Sequence, residues 1–182
     1  MNVVVVDHYD SYTWNLVHLI AGVTGTLPTV VEHDAVALDE LRAYTHIVLS
    51  PGPGHPDNPA DFALGKGVFE LGRPVLGVCL GMQALVSAYG GEVGQIDPAH
   101  GDVARVEHDG TGVFADIPSP FDAVRYHSLA ALSVPIELSV TAGTGDVVMG
   151  VAHLTERLWG LQFHPESILT EYGEQMVRNF LS

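Results

Sequence analysis

At 182 residues and 47% apolar content, the chain can bury a sizeable core and reads as one domain over residues 1–182. Seven Lys and Arg against 22 Asp and Glu leave a formal charge of −15 with no basic stretch, which argues against nucleic-acid binding. A single cysteine excludes an intrachain disulfide, and apolar runs that are short and broken by Gly or Pro exclude a membrane span.

Val3 to Val6 is a β-branched run, as expected of a central parallel strand. The polar loop Asp7 to Tyr12 follows, with Asp10 or Ser11 placed to cap a helix over about Tyr12 to Ala21. Pro28 to Val31 reads as a second strand, Leu38 to Tyr44 as a short helical turn, and His46 to Ser50 as a third strand. Pro51-Gly-Pro-Gly-His-Pro56 is then a restricted loop beyond a strand's carboxyl end, where open parallel sheets bind ligands. A helix is expected from Pro59 or Ala60 to Leu71. It leads to a buried strand at Val75 to Val78 and a helix containing Met82, Ala84, Leu85 and Ala88. From Gly90 to Val151 short β-like pieces (Val103–Val106, Ala123–Tyr126, Ile136–Thr141, Val147–Ala152) alternate with turn residues, as in a small mixed or antiparallel extension. Leu158 to Phe163 is a last buried strand and Thr170 to Phe180 a closing helix. The pattern is α/β: a doubly wound, mainly parallel sheet with helices on both faces. The chain opens on a strand, ends at Ser182 and has no recognisable signal peptide. It is therefore expected to be a complete domain in the cytoplasm.

The chemistry centres on Gly77-Val-Cys79-Leu-Gly81. A strand that turns sharply into a helix, with glycines two residues either side of one nucleophile, is a nucleophile elbow. The alternative is a small core cysteine, common in apolar runs. The last strand runs into His164-Pro165-Glu166, where proline stiffens the bend and Glu166 can return toward the imidazole. A carboxylate on one ring nitrogen leaves the other free to take the thiol proton, whereas the bland reading is a surface His-Pro turn. Oxyanion donors are available from the Leu80 N–H, next to the nucleophile, and from the Gly52 N–H. These parts describe acyl transfer through a thioester.

The residues resemble class I, triad-type glutamine amidotransferase domains, in particular the glutaminase components of anthranilate synthase and aminodeoxychorismate synthase. The resemblance covers essentially the whole length. It rests on Asp7 to Leu16, Ser50-Pro-Gly-Pro-Gly54, Gly77-Val-Cys-Leu-Gly81 with Gln83, Tyr126-His-Ser-Leu129 and Gln162 to Glu171, in order and in register. It implies Cys79 as nucleophile, His164 as base and later acid, Glu166 as orienter, and Gly52 and Leu80 amides as the oxyanion hole. It further implies that Gly52, Pro53, Gly54, Gln83, Ser128 and Leu129 hold L-glutamine, with no cofactor and no metal. The ammonia would pass to a chorismate-using synthase, as partner or fused domain, docking near Asp10-Ser11 and His100-Gly101. Such an enzyme is expected to be slow alone and faster with its synthase.

His8 stands where the family commonly has Asn, Met82 where this subfamily usually has His, and Asp102 where a lysine is usual. An α/β-hydrolase would want its acid between nucleophile and histidine in chain order, and here it follows the histidine. The other readings are a γ-glutamyl peptidase on the same scaffold and a non-catalytic regulatory subunit.

Overall fold

Val3 to Val6 are all buried and form strand β1 (Val3–Asp7), flanked by parallel strands on both edges as a continuous apolar run requires. A computed structural model describes all 182 residues. The first half continues through α1 (Thr13–Thr24), β2 (Thr29–Glu32), α2 (Leu38–Leu41), β3 (His46–Leu49), β4 (Val75–Val78) and α3 (Leu80–Ala88). The second half has β5 (Glu92–His108), β6 (Phe121–Ser133), β7 (Leu138–Thr144), β8 (Val147–His153), β9 (Leu158–Leu161) and α4 (Gly173–Leu181). One nine-stranded sheet joins them in the order β2-β1-β3-β4-β9-β8-β7-β5-β6. The strands from β2 through β9 in that order are parallel, and those beyond β9 pair antiparallel.

Each sheet face carries its own core. On one, Leu16, Val17 and Ile20 of α1 pack with Met176, Val177 and Phe180 of α4 and with Phe114, Phe121 and Phe163. On the other, Leu80, Leu85 and Val86 of α3 pack with Leu41, Val68 and Phe69. The strand order reverses at β1, so the carboxyl ends of β1, β3, β4 and β9 face one crevice, where such sheets bind ligands.

Three expectations need correction. The helix over residues 59–71 is absent: the segment is a run of turns ending in a 3-10 stretch, Gly65–Glu70. Gly65 has φ +55, a left-handed conformation that no α-helix can hold. Two of the β-like pieces after Gly90, Val103–Val106 and Ala123–Tyr126, are fragments of longer strands, β5 with 17 residues and β6 with 13, while Ile136–Thr141 and Val147–Ala152 fall on β7 and β8. Register shifts between Glu92 and Val93, Gln95 and Ala99, and His100 and Asp102 interrupt the alternation that marks a strand in sequence. Neither Asp10 nor Ser11 caps α1, whose N-cap position is Tyr12. Asp10 Oδ1 instead accepts from the Tyr12 N–H at 2.7 Å, and Asp7 Oδ1 accepts from the Tyr9 N–H and the Thr13 hydroxyl, at 2.9 and 2.7 Å.

Candidate active site

Between β4 and α3, Cys79 adopts φ 52 and ψ −101, a strained conformation for a residue with a Cβ. The turn is possible only because its flanks lack side chains. A Cβ at Gly77 would overlap the Gly81 backbone, and one at Gly81 would lie 2.8 Å from the Leu49 carbonyl oxygen. The first backbone bond of α3 runs from the Gln83 N–H to the Cys79 carbonyl, at 3.0 Å. The N–H groups of Leu80, Gly81 and Met82 therefore have no acceptor within the helix.

From the neighbouring strand end, β9, the chain brings in His164. Its Nδ1 lies 2.5 Å from Glu166 Oε1, and both side chains are shut off from solvent. Nε2 of His164 has no hydrogen-bond partner and is the ring nitrogen free for proton transfer. Burial works against charging this ring. The Cys79 sulfur and the Glu166 carboxylate outweigh it and raise the imidazole to about 10. The ring thus holds its proton at neutral pH, as a group that must later hand a proton to a leaving nitrogen requires. Tyr12 and Tyr126 wall in the imidazole, both edge-on, with ring centroids 5.5 and 5.4 Å away.

Cys79 opens into a cavity of about 200 Å³ lined by Gly52, Pro53, Gly54, Gln83, Ser128 and Leu129, together with Tyr126 and His127. That volume is below the roughly 300–1,000 Å³ of drug-sized sites and fits a ligand the size of an amino acid. A larger groove of about 440 Å³ lies where both chain termini meet and holds neither nucleophile nor base. Every residue expected to bind glutamine lines the smaller cavity. Gln83 Nε2 donates to the Leu129 carbonyl (3.0 Å) and to Gln162 Oε1 (3.2 Å), which spends both its hydrogens. Its Oε1 is left as an acceptor suited to an ammonium group. Gly54 holds φ +88, and a Cβ there would overlap the Asp61 carboxylate, which anchors the loop by accepting from the His55 N–H at 2.9 Å.

Several residues that the sequence marked only as parts of a match or as departures make contacts around the site. Gln162, fully buried, donates from Nε2 to Cys79 Sγ at 3.5 Å. Its only mark in the sequence is its place at the head of the Gln162 to Glu171 match, two residues before His164. Arg125 Nε donates to His127 Nε2 at 3.0 Å, and His127 Nδ1 contacts the same Leu129 carbonyl at 2.8 Å. Burial pulls His127 down to about 4, so it stays neutral. Asp102 pairs in register with Arg125 and favours its charged form against burial. Met82 is a core residue, packed where a Cβ on Gly160 would otherwise lie. His100 stands edge-on to Tyr126 with centroids 5.8 Å apart, so the expected docking segment touches the cavity wall.

Comparison with known proteins points the same way. The family model described as Glutamine amidotransferase class-I matches residues 4–182. The chain is 48% identical to the aminodeoxychorismate synthase of Streptomyces griseus, with 99% of this chain and 26% of that protein covered. It is 45% identical to anthranilate synthase component 2 of Archaeoglobus fulgidus, covering 98% and 96% of the two chains. The chain thus spans about a quarter of the length of the Streptomyces relatives and nearly all of the archaeal one. A solved structure from Thermoplasma acidophilum, described as a component of GMP synthase, superposes with a TM-score of 0.89 at 25% identity. That match covers 100% of this chain and 92% of the other.

Proposed function

This chain belongs to the class I glutamine amidotransferase family, and we propose that it supplies ammonia from glutamine to a synthase that aminates chorismate. The observation that carries the catalytic part is the strained Cys79 turn set beside the His164–Glu166 pair, at the mouth of an amino-acid-sized cavity.

The Cys79 sulfur attacks the γ-carboxamide carbon of glutamine, and the oxygen becomes an oxyanion held by the Gly52 and Leu80 amides. His164 gives its proton to the nitrogen, the C–N bond breaks, and ammonia leaves behind a glutamyl thioester. Neutral His164 then takes a proton from water, the hydroxide attacks the thioester, and glutamate departs as the thiolate and imidazolium are restored. One glutamine and one water become one glutamate and one ammonia. Glu166 keeps the ring oriented and compensates its charge throughout.

The chorismate-using partner is inferred from the names of the relatives. Those relatives include a free subunit of this length and a protein about four times as long, so either a separate synthase or a fused one fits. A cytoplasmic setting follows from such a partner; no helix is long and apolar enough to cross a membrane. Incubation with a diazo-ketone analogue of glutamine tests the site. Stoichiometric labelling at Cys79, lost in Cys79→Ala, is expected together with glutamate release. Absence of labelling, with the synthase present, would indicate a non-catalytic subunit. Glutaminase turnover is expected to rise when the synthase binds, and equal turnover with and without it rules this regulation out.

A further inference from the structure

Beneath the cavity, one buried hydroxyl joins the end of β1 to the Pro51–Gly54 loop. Ser50 Oγ donates to the Pro51 carbonyl oxygen at 2.7 Å and accepts from the His8 backbone N–H at 2.9 Å. His8 Nδ1 lies 3.3 Å from the same oxygen. A hydroxyl has one proton, and the shorter contact, to the Pro51 carbonyl, takes it, which assigns the donor in the His8 contact to Nδ1–H. The ring is held for that task, stacked between Phe62 (centroids 4.8 Å apart, 6° between planes) and His33 (5.0 Å, 20°). Burial and the neighbouring His33 lower His8 to about 3, so this pattern does not change over the working pH range.

The Pro51 carbonyl and the Gly52 N–H belong to one peptide group, and in a trans peptide they point to opposite sides. We propose that the Ser50 hydroxyl, oriented by His8, is a latch that holds the Pro51 carbonyl down and so aims the Gly52 N–H into the cavity as an oxyanion donor. The latch rests on the catalytic reading above and adds the residues that position one of its donors. The need for it lies in Gly52. A Cβ there would stand 2.6 Å from His8 Cβ and 2.8 Å from Leu80 Cδ2, so only glycine fits the close approach. Glycine, however, opposes rotation of that peptide hardly at all. Turned over, the group would present its carbonyl oxygen where negative charge develops. Ser50 and His8 are positioning residues and touch neither substrate nor sulfur.

Ser50→Ala, assayed in the full chain, tests the latch. Its kcat is expected to fall roughly 10²-fold, the cost of losing one oxyanion donor, with KM within about twofold. Glutamate γ-semialdehyde, which adds Cys79 to form a tetrahedral adduct bearing the same oxyanion, should bind more weakly by a similar factor. Alkylation of Cys79 by iodoacetamide forms no oxyanion and should keep its rate, which a general disruption of the site would not allow. His8→Phe keeps the ring stack, removes the Nδ1–H, and should lower kcat by roughly threefold to tenfold. If Ser50→Ala does not fold, His8→Phe decides by the same measurements. Unchanged kcat, or a loss matched by slower alkylation or a higher KM, overturns the latch while an active parent leaves the proposed function standing. A parent chain that neither hydrolyses glutamine nor takes the diazo-ketone label overturns both.

Discussion

Gln162 Nε2 lies 3.5 Å from Cys79 Sγ, and the carboxamide is turned that way because Gln83 holds its oxygen at 3.2 Å. A buried N–H aimed at sulfur stabilises negative charge there. Gln162→Leu removes the donor at similar volume and is expected to lower kcat roughly tenfold to 100-fold, the worth of a hydrogen bond to a charged group. KM should change little, since Gln162 is not among the residues lining the cavity. Steady-state glutamate release measures both, and an unaltered kcat in a folded variant refutes the role.

Glu166 is the counter-charge of a buried imidazolium, so its removal acts on both catalysis and stability. Glu166→Gln should reduce kcat on the order of 10² to 10⁴-fold, because the ring loses the group that sets its tautomer and orientation. It should also destabilise the chain by about 3–5 kcal/mol, the usual cost of leaving one member of a buried pair unmatched. Denaturant unfolding and glutaminase assays on one preparation separate the two effects. A stable and fully active variant contradicts the arrangement.

Stability should peak near the ordinary histidine range and fall on both sides of it. His164 holds its proton more tightly when folded, up to about 10 against 6.5 unfolded. Its contribution is therefore complete below about pH 6.5 and is lost as pH rises toward 10. His8 and His127 are displaced the other way, to about 3 and about 4, chiefly by burial. Their contribution is complete above about pH 6.5 and is lost as pH falls through those values, since the unfolded chain then takes up protons that the folded one refuses. Melting temperature against pH should show both limbs. Glu166→Gln should make the alkaline limb shallower, since the Cys79 sulfur also raises the ring, and leave the acid limb in place.

The glycines divide sharply by surroundings. Gly77→Ala would push a methyl into the Gly81 backbone and within 2.8 Å of the Met82 nitrogen, where nothing can yield. A cost above about 3 kcal/mol, beyond ordinary overpacking, and loss of activity are expected. Gly22→Ala, inside α1 with no heavy atom within 4 Å of the added carbon, should stabilise by about 0.5–1 kcal/mol. Thermal melts of the two variants check both signs.

The sequence alone was enough to show the elbow, because a turn this tight leaves a mark at fixed short spacing. Gly77 and Gly81 are required by backbone contacts within the turn and against its neighbour. His164 and Glu166 were legible for the same reason, being two residues apart on one bend. The valines and leucines of β1, β3 and β4 showed the parallel half of the sheet, since burial on both faces demands an unbroken apolar run. What tertiary structure decided is whatever joins residues far apart in the chain. Gln162 meets Cys79, Ser50 meets His8, and Tyr126 reaches His164 only because particular strand ends lie side by side. The long paired strands β5 and β6 were hidden because their shifts of register are chosen by cross-strand fit, which no local pattern records.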